Sequence, residues 1–406
     1  MNWMPISLKE LNNIIETSVA VMDTEVTSKN NILNPTILTK EFQDYLKIIE
    51  HEDIKSIGLK KSLFEEISSA EIAQQLKGIQ VSKHKFPTLY STENIYFPPS
   101  INLEQASSEA TANYKSTLVK GKNLIDLTAG FGIDTMAFAK NFDKVYHIEQ
   151  NPELSEIVQH NAKILAPNLE TYTGTFQSFF EENRTLKFDV IYLDPARRNS
   201  SGRKFILEDL EPNILEWIPT FSEKTEKIII KLSPLLDITS TLQQIDSIFE
   251  IHIVALKNEV KDFLIILDKN SSTKNPLIKA VNLENNQSEF SFHFEEEYSA
   301  NGNFGGIQHY IYEPNVAILK TGAFKLLSEK FNLHKLHQNT HLYTSNELLE
   351  NFPGKIYLIE EEIKNPKKEI LKIKANLLVK NYNQPIDVIK KKFKIIDGGT
   401  TTLIFT

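Results

Sequence analysis

The sequence predicts an α/β protein built on a seven-stranded sheet, parallel except for a terminal antiparallel hairpin. Three observations predict it. From Asn123 onward, short β-branched runs alternate with amphipathic helical stretches, the rhythm of a parallel sheet covered by helices on both faces. Three of those runs end in a carboxylate: Asp126, Glu149 and Asp194. The last two runs, "EIHIVAL" (250–256) and "DFLIIL" (262–267), are separated only by "KNEVK". That connection cannot hold a crossover helix, so the final pair must be antiparallel.

The elements follow in order. Residues 1–100 read as a helical region, because "SLKELNNIIE", "LTKEFQDYLKIIEH" and "SAEIAQQLKGIQ" carry apolar residues at helical spacing. "KHKFPTLYSTENIYFPPS" interrupts with prolines and aromatics and reads as a linker or docking segment. Residues 101–270 form the sheet domain, with strands at "NLIDLT", "KVYHIE", "ETYTG", "FDVIYL" and "KIIIKL" before the hairpin. Helices are expected at "IDTMAFAKN" and "PELSEIVQHNAKIL". Residues 271–320, with two or three strands in "PLIKAVNLENNQSEFSFHF", form one small α+β unit. Residues 321–406 form another, with strands at "THLYTS", "KIYLIEE", "KANLLVKNY" and "TTTLIFT".

Composition excludes several classes. No cysteine is present, which removes disulfides, thiolate nucleophiles and Cys-ligated zinc or iron–sulfur centres. No metal site is expected. A net charge of −8 argues against nonspecific nucleic-acid binding over the whole surface but leaves room for a local basic groove. The start "MNWMPISLKELNNIIE" lacks a basic segment followed by an apolar core, and no apolar run is long enough to span a bilayer. A cytoplasmic protein without membrane contact is expected.

The chemistry gathers at the strand ends. In "DLTAGFGID", Asp126 closes the first strand, and Ala129, Gly130 and Gly132 turn into a helix. Small residues there let a backbone approach a ligand, although a tight turn without ligand reads the same way. The third glycine of a dinucleotide fingerprint is absent. Glu149 ends the second strand where a carboxylate would accept hydrogen bonds from ribose hydroxyls; the rival reading is a cap for the helix at Asn151-Pro152. His147, on the same strand, reads as packing. Ser107, Ser108 and Thr111 either cover a ligand or cap the helix through Tyr114.

At these spacings "DLTAGFGID", "HIEQN" and "YLDPAR", with the terminal hairpin, resemble a class I S-adenosylmethionine-dependent methyltransferase with its Rossmann-like sheet. "LEQASSEATANYK", "KLSPLLD", "NEVKDFL", "YEPNVAILKTGAF" and "THLYTSNELLENFPGK" extend the likeness over nearly the whole chain. They are similar to a bacterial family with a ferredoxin-like insert, here 271–320, and a C-terminal THUMP-like domain, here 321–406. The resemblance implies S-adenosylmethionine as cofactor. Asp126, Thr128, Ala129, Gly130 and Gly132 would line its methionine end, Glu149 and Gln150 would hold the ribose, and Thr175-Phe176 would stand where an acid usually meets the adenine. It further implies that Asp194, Pro195 and Arg197 form the catalytic turn, with Asp194 also beside the cofactor. The substrate motif of the nucleic-acid amino-group methylases that this turn resembles has a second proline and an aromatic where this chain has Ala196 and Arg197.

The chain holds four arginines, and Arg197, Arg198 and Arg203 fall within seven residues of one another. An arginine grips phosphate bidentately or stacks on a base, whereas lysine is a point charge. These three are the candidate substrate contacts, and the expected partner is RNA, either tRNA or rRNA. The rival reading pairs them with Glu208, Asp209 or Glu211. Between Lys364 and Lys394 stand ten lysines against Glu369 and Asp387, a phosphate track or simply a solvated face. A methyltransferase acting on a small molecule or protein, and a non-catalytic RNA-binding protein on the same fold, stay open as alternatives.

Overall fold

The computed structural model describes residues 33–197, 206–271, 273–370 and 372–406. The segment "SLKELNNIIE" lies outside them. The N-terminal helices are α1 (Lys40–Ile48), α2 (Ile54–Leu59), α3 (Ser69–Lys85), α4 (Pro87–Ser91), α5 (Ser100–Gln105) and α6 (Glu109–Thr117). Helix α3 starts because Ser68 and Glu71 form a reciprocal capping box, a device that contributes about 1 kcal/mol. Gly78 in its interior makes room for a ring: a Cβ there would lie 2.1 Å from Phe97. The segment after α4 docks rather than links. Tyr96 and Phe97 are buried, and their N–H groups donate to Asn161 and Gln75, each at 2.9 Å.

The sheet domain runs β1 (Gly121–Asp126), α7 (Ile133–Phe138), β2 (Phe142–Glu149), α8 (Pro152–Leu165), β3 (Leu169–Thr173), α9 (Phe176–Glu182) and β4 (Val190–Leu193). It continues with α10 (Ile214–Lys224), β5 (Lys227–Leu232), α11 (Ile238–Gln244), β6 (Ile248–Leu256) and β7 (Glu259–Asp268). Strands β8 (Leu277–Leu283) and β9 (Phe290–His293) follow. The sheet order is β9-β8-β6-β7-β5-β4-β1-β2-β3. Strand β7 is antiparallel to both β5 and β6, as the short "KNEVK" connection demands. The seven expected strands are therefore present, but the sheet has nine. β8 pairs in parallel with β6, Leu277↔Glu250 through Leu283↔Leu256, and β9 completes the edge. Both were assigned above to a separate unit beginning at 271; pairing with the open edge of β6 places them in the main sheet instead.

Side chains alternate along the strands onto two faces. Leu124, Val145, Val190, Tyr192 and Ile229 share one core with the N-terminal helices, including Ile37, Phe42, Leu76 and Phe86. Ile125, Ile148, Ile191, Ile228 and Ile230 share the other with α9, α10 and residues from beyond 300. The N-terminal helices thus form a layer on the sheet, and the cores run across the expected boundaries at 100, 270 and 320. Each fully buried large apolar side chain contributes about 1.5–3 kcal/mol, so neither layer separates cheaply.

Helix α12 (Phe294–Ser299) leads to a four-stranded unit made of β10 (Tyr310–Pro314), α13 (Val316–Thr321), α14 (Phe324–Lys330), β11 (His334–His337), β12 (Thr340–Ser345) and β13 (Gly354–Leu358). Its order is β11-β12-β10-β13. Tyr312, Ile318, Leu327 and Tyr343 pack into the second core of the main sheet. The chain ends in α15 (Pro366–Glu369), β14 (Asn376–Val379), α16 (Ile386–Phe393) and β15 (Thr402–Phe405). There β14 and β15 pair in parallel, and Ile370, Ile389, Phe393 and Phe405 form a small core of their own. No helix among the described residues is long and apolar enough to cross a membrane.

Candidate cofactor and substrate site

The carboxyl ends of β1, β2 and β4 meet where the chain order of the sheet reverses, the place where open α/β sheets bind ligands. Asp126, 1% exposed, braces the turn after β1 from below. Its Oδ1 accepts the Thr128 N–H at 3.2 Å and its Oδ2 the Thr135 hydroxyl at 2.6 Å. Burial, helped by the nearby Asp134 and Asp194 carboxylates and resisted by those two hydrogen bonds, pushes Asp126 up to about 8. It is a brace underneath the turn rather than at its surface.

Gly130 and Gly132 both take left-handed backbone, with φ of 54° and 76°. That explains two glycines in three residues, since side chains rarely tolerate this region. A Cβ on Gly130 would meet nothing within 4 Å, so the space above the turn is open. The turn is clamped from β2. Glu149 Oε2 accepts the Gly130 N–H at 3.1 Å, and His147 Nε2 lies 3.0 Å from the Gly130 carbonyl. A carbonyl only accepts, so Nε2 carries the proton. Burial holds His147 down at about 4, neutral in use. It packs, as expected, and also fixes the turn. Glu149 Oε1 accepts the Asn151 N–H at 2.7 Å. The rival capping reading is therefore partly right, yet each oxygen keeps a lone pair and the side chain is only partly buried. Gln150 beside it is exposed.

The reading of β3 needs correction. Thr175 caps α9 by accepting the Ser178 N–H at 3.1 Å. Phe176 is 5% exposed, its ring 5.0 Å from that of Trp217 and 5.6 Å from that of Phe221. Its side chain belongs to the core. The spacing of Phe176, Phe179 and Phe180 is that of a buried helix face, and this signal was in the sequence.

Ser108 caps α6 by accepting the Thr111 N–H at 3.2 Å. Ser107 instead joins a buried network. Its hydroxyl donates to Asp134 Oδ2 and accepts from Lys115 Nζ, at 2.8 and 3.0 Å. Lys115, with no exposure at all, lies 3.1 Å from Asp134 Oδ1 and 2.9 Å from Asp262 Oδ2. Tyr192 donates to Asp134 Oδ2 at 2.8 Å. Burial alone would raise Asp134, but the Lys115 and Lys231 ammoniums and these hydrogen bonds hold it below the usual carboxylate range.

At the end of β4, the Asp194 N–H donates to the Thr128 hydroxyl at 2.7 Å, and Asp194 Oδ2 lies 2.5 Å from Lys231 Nζ. Burial raises Asp194 while the Lys231 ammonium opposes the rise. Pro195 is buried behind it. Ala196-Arg197 forms a two-residue ladder with Leu210-Glu211, which ties the start of the arginine loop to the start of α10. Arg198 and Arg203 lie outside the described residues. Sequence reasoning thus brought Asp126, Thr128, Ala129, Gly130, Gly132, Glu149 and Asp194 to one edge, and missed Lys115, His147 and Lys231 as parts of it. No group of three or more metal-ligating side chains occurs among the described residues.

Comparisons with known proteins bear on this edge. Residues 121–274 match the model of a family described as RNA cap guanine-N2 methyltransferase, and residues 310–353 that of a ferredoxin-like domain. The ferredoxin-like match therefore spans β10 to β12, and overlaps the expected 271–320 only at 310–320. A Porphyromonas gingivalis W83 protein assigned as a methyltransferase is 30% identical, with 89% of this chain and 93% of that one covered and a TM-score of 0.81. A Streptococcus mutans protein in complex with SAH is 15% identical, covering 39% of this chain and 96% of that one, TM-score 0.29. TrmK of M. capricolum, also with S-adenosyl-homocysteine, is 15% identical over 40% and 69%, TM-score 0.32. No curated protein matches the sequence.

Proposed function

The chain belongs to the methyltransferase family of its Porphyromonas gingivalis relative and uses S-adenosylmethionine, and from that premise we propose that it methylates RNA, either tRNA or rRNA. The observation that carries the RNA reading is the match of residues 121–274 to an RNA-modifying family. Two features support it. The arginine segment leaves the strand end that carries Asp194, where a substrate would sit. The C-terminal unit, read as THUMP-like, exposes Lys367, Lys368, Lys372 and Lys391, whereas Lys380 pairs with Glu313 and Lys390 with Asp397. A substrate of this kind would place the enzyme in the cytoplasm.

The cofactor supplies an electrophilic methyl group on a sulfonium. The chain's part is to bind, orient and keep water out. Gly130 and Gly132 would admit the cofactor close to the backbone, with Thr128 and Ala129 alongside, and Glu149 with Gln150 would receive the ribose. Asp126 supports that surface from beneath. Thr175 would flank the adenine through its backbone, its side chain being committed to the helix cap. Asp194, on the Pro195 turn, would accept a hydrogen bond from the nucleophile and orient its lone pair; Arg197 would hold the reacting nucleotide, and Arg198 and Arg203 its phosphates.

The test is mass spectrometry of nucleosides from cells lacking the protein, with transfer of labelled methyl groups to their RNA by the purified chain. One methylated nucleoside should vanish in the cells, and the missing label should be restored in vitro. Unchanged RNA, with label entering a small molecule or protein, would overturn the RNA reading while leaving the methyltransferase in place.

A further inference from the structure

Four carboxyl groups gather between the sheet and helices α6 and α7: Asp126, Asp134, Asp194 and Asp262. Among the described residues, two ammoniums, Lys115 and Lys231, are ion-paired to them. Burying any ionised group costs several kcal/mol unless it is paired, so the division of the two cations carries information. Lys115 takes Asp134 and Asp262, both nearly inaccessible. Asp126 is ion-paired to no cation among the described residues, and burial raises its pKa. The second cation goes to Asp194, the most exposed of the paired carboxylates, at 36% against 11% for Asp134 and 3% for Asp262. A purely structural pairing would have served the buried acids first.

Lys231 is the penultimate residue of β5, in "KIIIKL", and 14% exposed. It grips Asp194 through Oδ2 alone, at 2.5 Å. Oδ1 has no hydrogen-bond partner among the described residues. The Asp194 backbone is held separately by Thr128. The residue is thus held at two points, its backbone N–H and Oδ2, with Oδ1 left over among the described residues at the carboxyl edge.

We infer that Lys231 is a positioning residue for methyl transfer: it keeps Asp194 a fixed, acceptor-only carboxylate, so the group that is methylated must bring its own hydrogen, as an N–H or O–H. A carboxylate offers lone pairs and no donor. A ring nitrogen without hydrogen would meet it lone pair to lone pair. This rests on the proposed role of Asp194. The titratable groups facing the pair are Asp126 at the end of β1, Lys115 from α6, Asp134 from α7 and Asp262 from β7; Tyr192 lies on Asp194's own strand, and Lys85 approaches Lys231 from the end of α3. None of the others is within bonding distance of Asp194, so removing the Lys231 charge removes its one direct counter-charge among the described residues.

The test uses the full-length chain with 13Cγ-labelled aspartate, the Asp194 signal being assigned by its absence from Asp194→Asn. In Lys231→Met the Asp194 carboxyl should titrate at least about one pH unit higher than in wild type, a tenfold change in proton affinity. In Lys231→Arg it should stay near wild type. Methyl transfer to RNA from cells lacking the protein should fall at least about tenfold in Lys231→Met at pH 7, the deficit shrinking toward pH 9, and Lys231→Arg should restore it to within about threefold. Affinity for S-adenosylmethionine by calorimetry should hold within about threefold in both, which also reports that they fold. Equal titration midpoints in wild type and Lys231→Met, or a rate deficit equal at every pH, would overturn the inference. So would a product methylated at a ring nitrogen that had carried no hydrogen. If wild type labels no RNA at all, the RNA proposal fails, and the carbon titration still decides the role of Lys231.

Discussion

The hydroxyl of Thr128 accepts the backbone N–H of Asp194 at 2.7 Å, so a side-chain hydrogen bond joins the glycine turn after β1 to the Asp-Pro turn after β4. The two turns serve different partners in the proposed reaction, cofactor and substrate, and this bond sets their distance. Thr128→Val keeps the shape and deletes the acceptor, leaving a partly buried N–H unpaired at a cost of about 1–3 kcal/mol. Methyl transfer should fall several-fold with a small loss in melting temperature. Thr128→Ser should behave as wild type. Initial rates beside thermal unfolding would show it, and equal rates in Val and Ser would mean that the turns are aligned by other contacts.

Glu149 carries two N–H groups of its own chain before any ligand arrives, those of Gly130 and Asn151. Glu149→Ala should therefore weaken cofactor binding by about 1–3 kcal/mol, because the ribose loses a charged acceptor and the turn loses its clamp. Glu149→Gln keeps one accepting oxygen and should fall between. Calorimetry with S-adenosylmethionine measures both, and unchanged affinity in the alanine variant would remove Glu149 from the cofactor site.

Asp194 sits at the end of β4, separated from the Glu149 clamp by β1. Asp194→Ala should abolish turnover while the cofactor dissociation constant stays within about threefold, or ~0.7 kcal/mol. A collapse of affinity together with activity would make Asp194 a cofactor ligand instead.

Asp126 and His147 give opposite pH dependences. Asp126 is raised to about 8 when folded, so the folded state holds a proton that the unfolded chain releases above its ordinary carboxyl value. Its contribution is complete in acid and is lost as pH rises toward 8. His147 is lowered to about 4, so its contribution is complete above the ordinary imidazole value and is lost as pH falls toward 4. Between about pH 4 and 6.5 the two slopes nearly cancel, and between about 6.5 and 8 only the Asp126 slope remains. Asp126→Asn can still accept from Thr128 and bond Thr135, without the proton linkage. Its stability relative to wild type should improve steadily from pH 4 to 8 and then level off. Denaturant melts across that range test it; a constant offset would mean Asp126 is ionised in the folded protein.

Much of this edge was legible because the rule behind it is local. Strand ends carry the polar residues of an open α/β sheet, and "DLTAGFGID", "HIEQN" and "YLDP" announce themselves within a few residues. The short "KNEVK" connection likewise forced an antiparallel pair. What was not legible depends on distant partners. Lys115 reads as one exposed position of a polar helix, and its bond to Asp262 spans 147 residues. The strands at 277–283 and 290–293 were visible as strands, but nothing local says which sheet edge they join. Lys231 carried a faint signal: a lysine inside an isoleucine run, on the face shared with Tyr192 and Ile229, needs a counter-charge close by.

Arginine is scarce in this chain, and Arg197 directly follows the Asp194-Pro195-Ala196 turn. Its backbone pairs with Leu210, so the position is fixed by the fold and is not a free loop end. A guanidinium there can stack on a base or grip a phosphate with two parallel donors, and an ammonium can do neither. Arg197→Lys preserves the charge and removes that geometry, so methyl transfer should fall at least about tenfold. Arg203→Lys, further along the segment, should mainly alter RNA affinity and the slope of its salt dependence, since phosphate contacts act through counterion release. If Arg197, Arg198 and Arg203 can each be replaced by lysine without change in rate, RNA affinity or salt slope, the arginines only hold the loop against its acidic neighbours, and the RNA proposal loses its nearest structural support.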